Sequence, residues 1–317
     1  MIETRGLTKK YGALTALDSL TLDIGPGQVF GFIGPNGAGK TTTMKILSCL
    51  MKPDAGTARV AGFDIAKDAD DIRRVIGYMP DFLGVYDDLT VDEYLQFFAA
   101  SFGIPRAQRG GIVGQVLELT DLSEKRHANV DSLSRGMQQR LGVARVLVHD
   151  PKVLFLDEPA SGLDPRARIE MRSLLVELGK MGKTLMVSSH ILSELGEMCT
   201  CIGIVERGKL LYAGSIEDAF AKAKTQATNG DRIVVTLEKD GAAASVVSGM
   251  LGTVERVVRA TADDAAGTVT VDLTPGDHSH HFLIEAIIRA GGRIAGFQPE
   301  QVRLEDAFLR LTTGALQ

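Results

Sequence analysis

The 317-residue chain has no tryptophan, five tyrosines and three cysteines. Thiols this sparse, at Cys49, Cys199 and Cys201, exclude a disulfide framework, and a lone C-x-C falls short of a zinc-site spacing. Buried, reduced thiols in a cytosolic protein are the expectation. Long apolar runs are missing too. None approaches the roughly 18 residues that a membrane span needs, and the opening MIETRGLTKKYG lacks the apolar core of a signal peptide. Nor is positive charge in excess: 35 Lys and Arg against 40 Asp and Glu give a net charge of −5, which argues against a nucleic-acid-binding face. No internal repeat or low-complexity segment stands out. What remains is an ordinary globular composition, 44% hydrophobic, in a length that suits two domains.

Against that background, GPNGAGKTTT at residues 34–43 carries unusual chemistry. It lies between QVFGFI, whose branched and aromatic residues predict a buried strand, and MKILSCLM, where Met44, Leu47 and Met51 predict a helix. A glycine-rich turn from strand to helix leaves backbone N–H groups converging on one spot, and the helix N-terminus adds partial positive charge there. Gly34, Gly39, Lys40 and Thr41 satisfy G-x-x-x-x-G-K-[ST], the phosphate cradle. In that pattern Lys40 reaches the β- and γ-phosphates, and the Thr41 hydroxyl ligates Mg²⁺.

The rest of the first 220 residues alternates strands with helices. Turn-punctuated alternation over residues 1–33 predicts antiparallel strands. From about 85 to 150 the pattern turns helical, with Thr90 and Glu93 forming a capping box and Met137, Leu141, Ala144 and Val148 on one face. KVLFLDEP and TLMVSSH are apolar strands, and Asp164–Pro165 starts a helix facing inward with Met171, Leu174, Leu175 and Leu178. Such alternation predicts a largely parallel sheet covered on both faces. The polar stretch 221–231 reads as a linker. Residues 232–317 hold four short apolar runs, including TVERVVRA, a helix ended by Gly291 and a second near 242–251. This order predicts a small α+β sandwich, ferredoxin-like, closed by an amphipathic helix with Leu304, Phe308 and Leu311.

Adjacent carboxylates Asp157 and Glu158 end the strand KVLFL. They are costly there without a cation or a chemical task. Asp157 is placed to hold Mg²⁺ and Glu158 to polarise an attacking water. Upstream, Ser134 opens a helix with Gly136 just inside it, a second arrangement suited to an anion. Taken with SGLD at 161–164 and SSH ending at His190, this order of motifs resembles the ATP-binding-cassette (ABC) ATPases, the nucleotide-binding subunits of transporters.

The resemblance covers residues 1 to about 220 and implies an ABC cassette of the P-loop NTPase fold: a mostly parallel α/β core with an antiparallel β subdomain and a helical subdomain. It implies that Tyr11 stacks on adenine and that Gly34, Pro35, Asn36, Gly37, Ala38, Gly39, Lys40, Thr41 and Thr42 cradle the phosphates of ATP. It further implies that Ser134 and Gly136 contact the γ-phosphate held by a second copy, and that Asp157 and Glu158 are the magnesium-binding and catalytic acids. Asp164 matches the loop that crosses the dimer interface, or is an ordinary helix cap. His190 matches the histidine that reads the γ-phosphate.

Two departures stand out. LSRGM replaces the usual LSGGQ, a variant resembling the branch that pairs with ABC-2-type membrane subunits, mostly exporters. Asp81 follows the proline where the family has a glutamine touching Mg²⁺ or water. Aspartate is shorter, charged and no donor, so either the coupling is retuned or Asp81 leaves the metal. The tail after residue 231, with LEDAFL near its end, is similar to the small accessory domain of that exporter branch.

The resemblance therefore implies an ATP-hydrolysing motor: two copies sandwiching ATP and Mg²⁺, working with a separate transmembrane permease, peripheral on the inner face of the cell membrane, and without nucleic acid. A non-transport ABC ATPase, or an ATP-binding regulator with little hydrolysis, are the alternatives.

Overall fold

The computed structural model describes residues 1–82, 84, 88–191, 195–196, 198–219, 232–274, 276 and 279–299. The expected linker at 221–231 and the closing helix with Leu304, Phe308 and Leu311 lie outside the described residues. Two compact units divide after Ala219.

In the first unit, β1 (Ile2–Tyr11) and β2 (Leu14–Ile24) pair antiparallel, as their alternation requires. With β4 (Ala55–Val60) and β5 (Phe63–Asp64) they form a sheet of order β2-β1-β4-β5. A second sheet contains β3 (Val29–Ile33), β6 (Ile76–Met79), β7 (Val153–Leu156), β8 (Thr184–Ser189), β9 (Cys201–Glu206) and β10 (Lys209–Ser215). Its order is β10-β9-β3-β8-β7-β6, parallel throughout except for β10, which returns antiparallel on β9. Every residue of β3, β7 and β8 is buried. That is what a parallel sheet covered on both faces demands, and it explains the unbroken apolar runs in the sequence.

Among the described residues, the longer helices of this unit are α1 (Lys40–Leu47), α2 (Ala69–Val75), α3 (Val91–Ser101), α4 (Arg106–Leu119), α5 (Arg135–Leu147) and α6 (Pro165–Lys180). The capping box of α3 forms: the Glu93 N–H donates to Thr90 Oγ1 at 3.3 Å, and the Thr90 N–H donates to the Glu93 carboxylate at 2.9 Å. α6 buries the expected Met171, Leu174, Leu175 and Leu178.

Two helices differ from their sequence reading. α1 stops at Leu47, short of Met51, because Cys49 turns left-handed (φ 56°) and the Leu50 and Cys49 N–H groups donate back to Lys45 O and Ile46 O. This is a Schellman stop, set by a cysteine where glycine is usual. α5 is buried on nearly all sides from Gln139 to Leu147, rather than along one face.

The second unit runs β11 (Arg232–Leu237), α7 (Ala244–Leu251), β12 (Val257–Asp263), β13 (Thr268–Leu273), α8 (His281–Arg289) and β14 (Ile294–Pro299). Its sheet order is β12-β13-β11-β14 with every neighbouring pair antiparallel. Ile233, Val235, Val247, Val269, Leu283 and Ile287 form a core of its own. β12 begins later than TVERVVRA suggests, because Arg256 adopts φ 81° and interrupts the extended chain just before Val257.

Candidate nucleotide site

The loop from β3 into α1 is shaped by close backbone approach. A Cβ on Gly34 would lie 2.2 Å from Val205 O, and Gly39 adopts φ 106° with Ala16 O 2.6 Å from where a Cβ would sit. No other residue type fits either position. Ala38 is buried beneath the loop, whereas Pro35, Asn36 and Gly37 crest it, open to solvent. Thr41 is exposed at the start of α1, Thr42 is half-buried, and Lys40 is buried. The Lys40 ammonium donates to Gly34 O at 2.6 Å and to Pro35 O at 3.3 Å, so the loop curls around its own lysine.

Lys40 also faces Glu158, with Nζ 3.2 Å from Oε1. This is a charge contact without hydrogen-bond alignment, since Oε1 accepts no hydrogen bond. The other carboxylate oxygen, Oε2, lies 2.8 Å from His190 Nδ1. Glu158 thus bridges the phosphate-loop lysine and the histidine that follows β8. Its backbone is left-handed (φ 50°), a conformation that costs a non-glycine residue of the order of 1 kcal/mol.

Ser188 holds that turn. Its hydroxyl donates to Asp157 Oδ1 at 2.6 Å and accepts from the Glu158 N–H at 2.9 Å. Sequence reasoning quoted SSH for its histidine and passed over this serine. No local spelling marks it: Ser188 gains its role from strand register, where it stands level with Phe32 across the parallel sheet. Asp157 is 1% exposed, yet its Oδ2 has no partner among the described residues. An orphaned buried carboxylate oxygen suits a hard divalent cation, which takes oxygen ligands, and the exposed Thr41 hydroxyl is a second oxygen donor of that kind. Among the described residues no group of three His, Cys, Asp or Glu could hold a metal alone.

Asp81 is exposed. Partial desolvation, and then the Asp157 and Glu158 carboxylates, raise its carboxyl above the ordinary aspartate range, opposed by Arg135 and His190. Asp81 therefore sits in the electrostatic field of the site. Tyr11, 45% exposed, contacts Met51 through its hydroxyl at 3.0 Å and carries Lys9 5.9 Å from its ring centroid. Much of its ring is open for stacking, and among the described residues no hydrogen bond or ring contact joins it to the phosphate loop.

Ser134 and Asp164 are engaged in their own helices. The Ser134 hydroxyl accepts from the Met137 N–H at 3.3 Å, and Asp164 Oδ1 accepts from the Arg166 and Ala167 N–H groups at 3.0 and 2.9 Å. The two helix starts pack together. A Cβ on Gly136 would meet Ala167 Cβ at 2.9 Å, and one on Gly162 would fall 2.4 Å from the Arg135 guanidinium carbon. Neither Ser134 nor Asp164 bonds to the phosphate loop among the described residues.

A phosphate loop at the carboxyl edge of a parallel sheet, with paired carboxylates at the end of β7, one strand removed from β3 across β8, defines a P-loop nucleoside triphosphatase. Comparison with known proteins narrows the class. The ABC transporter family model matches residues 17–161. The Nod factor export ATP-binding protein I of Paraburkholderia xenovorans (strain LB400) is 41% identical over 214 residues, 68% of this chain and 70% of that protein. The bacitracin transport ATP-binding protein BcrA of Bacillus licheniformis is 41% identical over 212 residues, 67% of this chain and 68% of that protein. Among solved structures, the post-hydrolysis dimer of the ATP-binding cassette MJ0796 bound to ADP and Pi superposes with a TM-score of 0.62 at 25% identity, covering 68% of this chain and 99% of that one. The chain belongs to the ATP-binding subunits of the ABC transporter family, and it is an ATPase of that class.

Proposed function

We propose that this chain is the motor subunit of a membrane exporter, in which two copies close on ATP and pull on a separately encoded permease at the inner face of the membrane. The observation that carries the reading is Glu158, held between Lys40 and His190 with its backbone fixed by Ser188. Among the described residues no helix is long and apolar enough to cross a membrane, and this reading gives that task to the permease. The similarity to Nod factor and bacitracin ATP-binding proteins supports export.

In the reaction, Lys40 exchanges its loop carbonyls and Glu158 for the β- and γ-phosphates. Freed from the lysine, the Glu158 carboxylate accepts a proton from the attacking water, while His190 orients the carboxylate through Oε2. Thr41 and Asp157 Oδ2 would hold Mg²⁺, which would supply positive charge to neutralise the phosphates. Ser188 keeps Asp157 and Glu158 in register. Ser134 and Gly136 of one copy complete the site of the other, and Tyr11 stacks on adenine.

Replacing Glu158 by Gln tests this. Positioned general bases contribute roughly 10²–10⁴-fold, so turnover should fall at least 100-fold while ATP binding persists and the closed dimer accumulates. Gel filtration with ATP and Mg²⁺ that shows only monomer, or hydrolysis above a tenth of wild type, overturns the assignment.

A further inference from the structure

One buried hydroxyl stands outside this constellation. Tyr78, on β6, has its Oη buried with no hydrogen-bond partner among the described residues, and Asp157 Oδ2 on the neighbouring strand is in the same condition. Two unsatisfied buried oxygens are each costly, so a shared partner is the economical explanation.

Strand register puts them on one side of the sheet. Tyr78 is level with Phe155 in the parallel β6–β7 pair, and the ladder continues where the Asp157 N–H donates to Met79 O at 2.9 Å. Residues two apart on a strand share a face, so Tyr78, Phe155 and Asp157 project from the same side. Phe155 is in turn level with Met186, which brings Ser188 to that side, in agreement with its bond to Asp157 Oδ1. Phe32, Phe155, Met186 and Met44 of α1 form one core there, with Tyr78 packed against it. This is the face that carries the phosphate loop. Burial, and then the fields of Asp157 and Asp81, push the Tyr78 phenol up to about 12. It stays protonated, a donor in the field of two carboxylates.

We propose that Tyr78 is a positioning residue of the nucleotide site, whose hydroxyl donates to an oxygen in the coordination shell of the divalent cation that Asp157 Oδ2 helps to hold. The proposal rests on the reading of Asp157 as the cation's carboxylate. Binding of the metal–nucleotide complex then satisfies both orphaned atoms together, and Tyr78 orients the shell as hydrogen-bonding neighbours of metal sites do.

The test is Mn²⁺ binding to the full chain with a non-hydrolysable ATP analogue, followed by electron paramagnetic resonance, for wild type, Tyr78→Phe and Asp157→Asn. Tyr78→Phe should weaken Mn²⁺ binding about tenfold, at the low end for such outer groups. Analogue affinity in EDTA should be unchanged, and the ligand-free melting temperature equal or higher, since an unpaired buried hydroxyl is gone. A purely space-filling tyrosine would give the same melting behaviour but leave Mn²⁺ affinity at the wild-type value, and that result overturns the proposal. If Asp157→Asn binds Mn²⁺ as wild type does, the cation reading itself fails and the Tyr78 proposal with it. The two failures are thus told apart.

Discussion

Asp81 shows how much one atom's chemistry decides at the residue scale. The family's glutamine can donate a hydrogen bond, whereas this carboxylate cannot, and among the described residues Asp81 makes no hydrogen bond at all. Its carboxyl is pushed up by partial desolvation and by Asp157 and Glu158, so its ionised form is disfavoured beside those carboxylates and adds to their negative charge whenever it is present. Asp81→Gln should therefore raise the basal ATPase of the isolated subunit and weaken its dependence on the membrane partner. If Asp81 instead serves only the turn before DFLGVY, steady-state rates with and without the partner will match wild type. A pH dependence goes with this. The folded state binds the Asp81 proton at higher pH than the unfolded chain does, so across the Asp81 titration its effect on stability worsens as pH rises. The stability gained by Asp81→Gln should be largest above the Asp81 titration and vanish below it, which thermal melts at several pH values would show.

Helix ends, the business of the element scale, are where local chemistry was easiest and hardest to read. α6 was legible because an aspartate cap, a proline at the first position and four inward apolar residues agree. Losing such a cap costs about 1 kcal/mol, worth roughly 2–4 °C in a unit of this size, so Asp164→Ala should lower the melting temperature by that amount. Asp164→Ser keeps a cap. It should melt like wild type, and any loss of ATPase it still shows must then come from a role beyond capping, across the dimer interface. The end of α1 was not legible, because a cysteine took the left-handed position that sequence rules reserve for glycine. Nor was the all-round burial of α5, which depends on what packs over it rather than on its own period. The phosphate loop, Asp157, Glu158 and His190 were visible as local spellings. Ser188 and Tyr78 were not, since their meaning arises only when the register of strands distant in sequence sets them beside Asp157.

For the whole molecule, the question is which parts the nucleotide chemistry needs. The phosphate loop, both carboxylates, Ser188, His190 and the helix starts at Ser134 and Asp164 all lie within Met1–Ala219 of the first unit. Its sheets and helices bury a continuous core that includes Ile2, Leu20, Phe32, Met44, Val60, Phe155 and Met186, drawn entirely from within that unit. The unit built on β11–β14 buries its own apolar residues under α7 and α8. A domain with its own core is able to fold alone. Deleting residues after about 225 should therefore leave a soluble cassette that binds ATP with wild-type affinity by calorimetry. If the deleted part stabilises the pair, the shortened Glu158→Gln protein should need more ATP than the full-length variant to reach the same dimer fraction in gel filtration. Equal dimer fractions at every ATP concentration would assign the second unit a role outside cassette pairing. A shortened protein that is insoluble under all conditions would show that the first unit does not fold independently of the second.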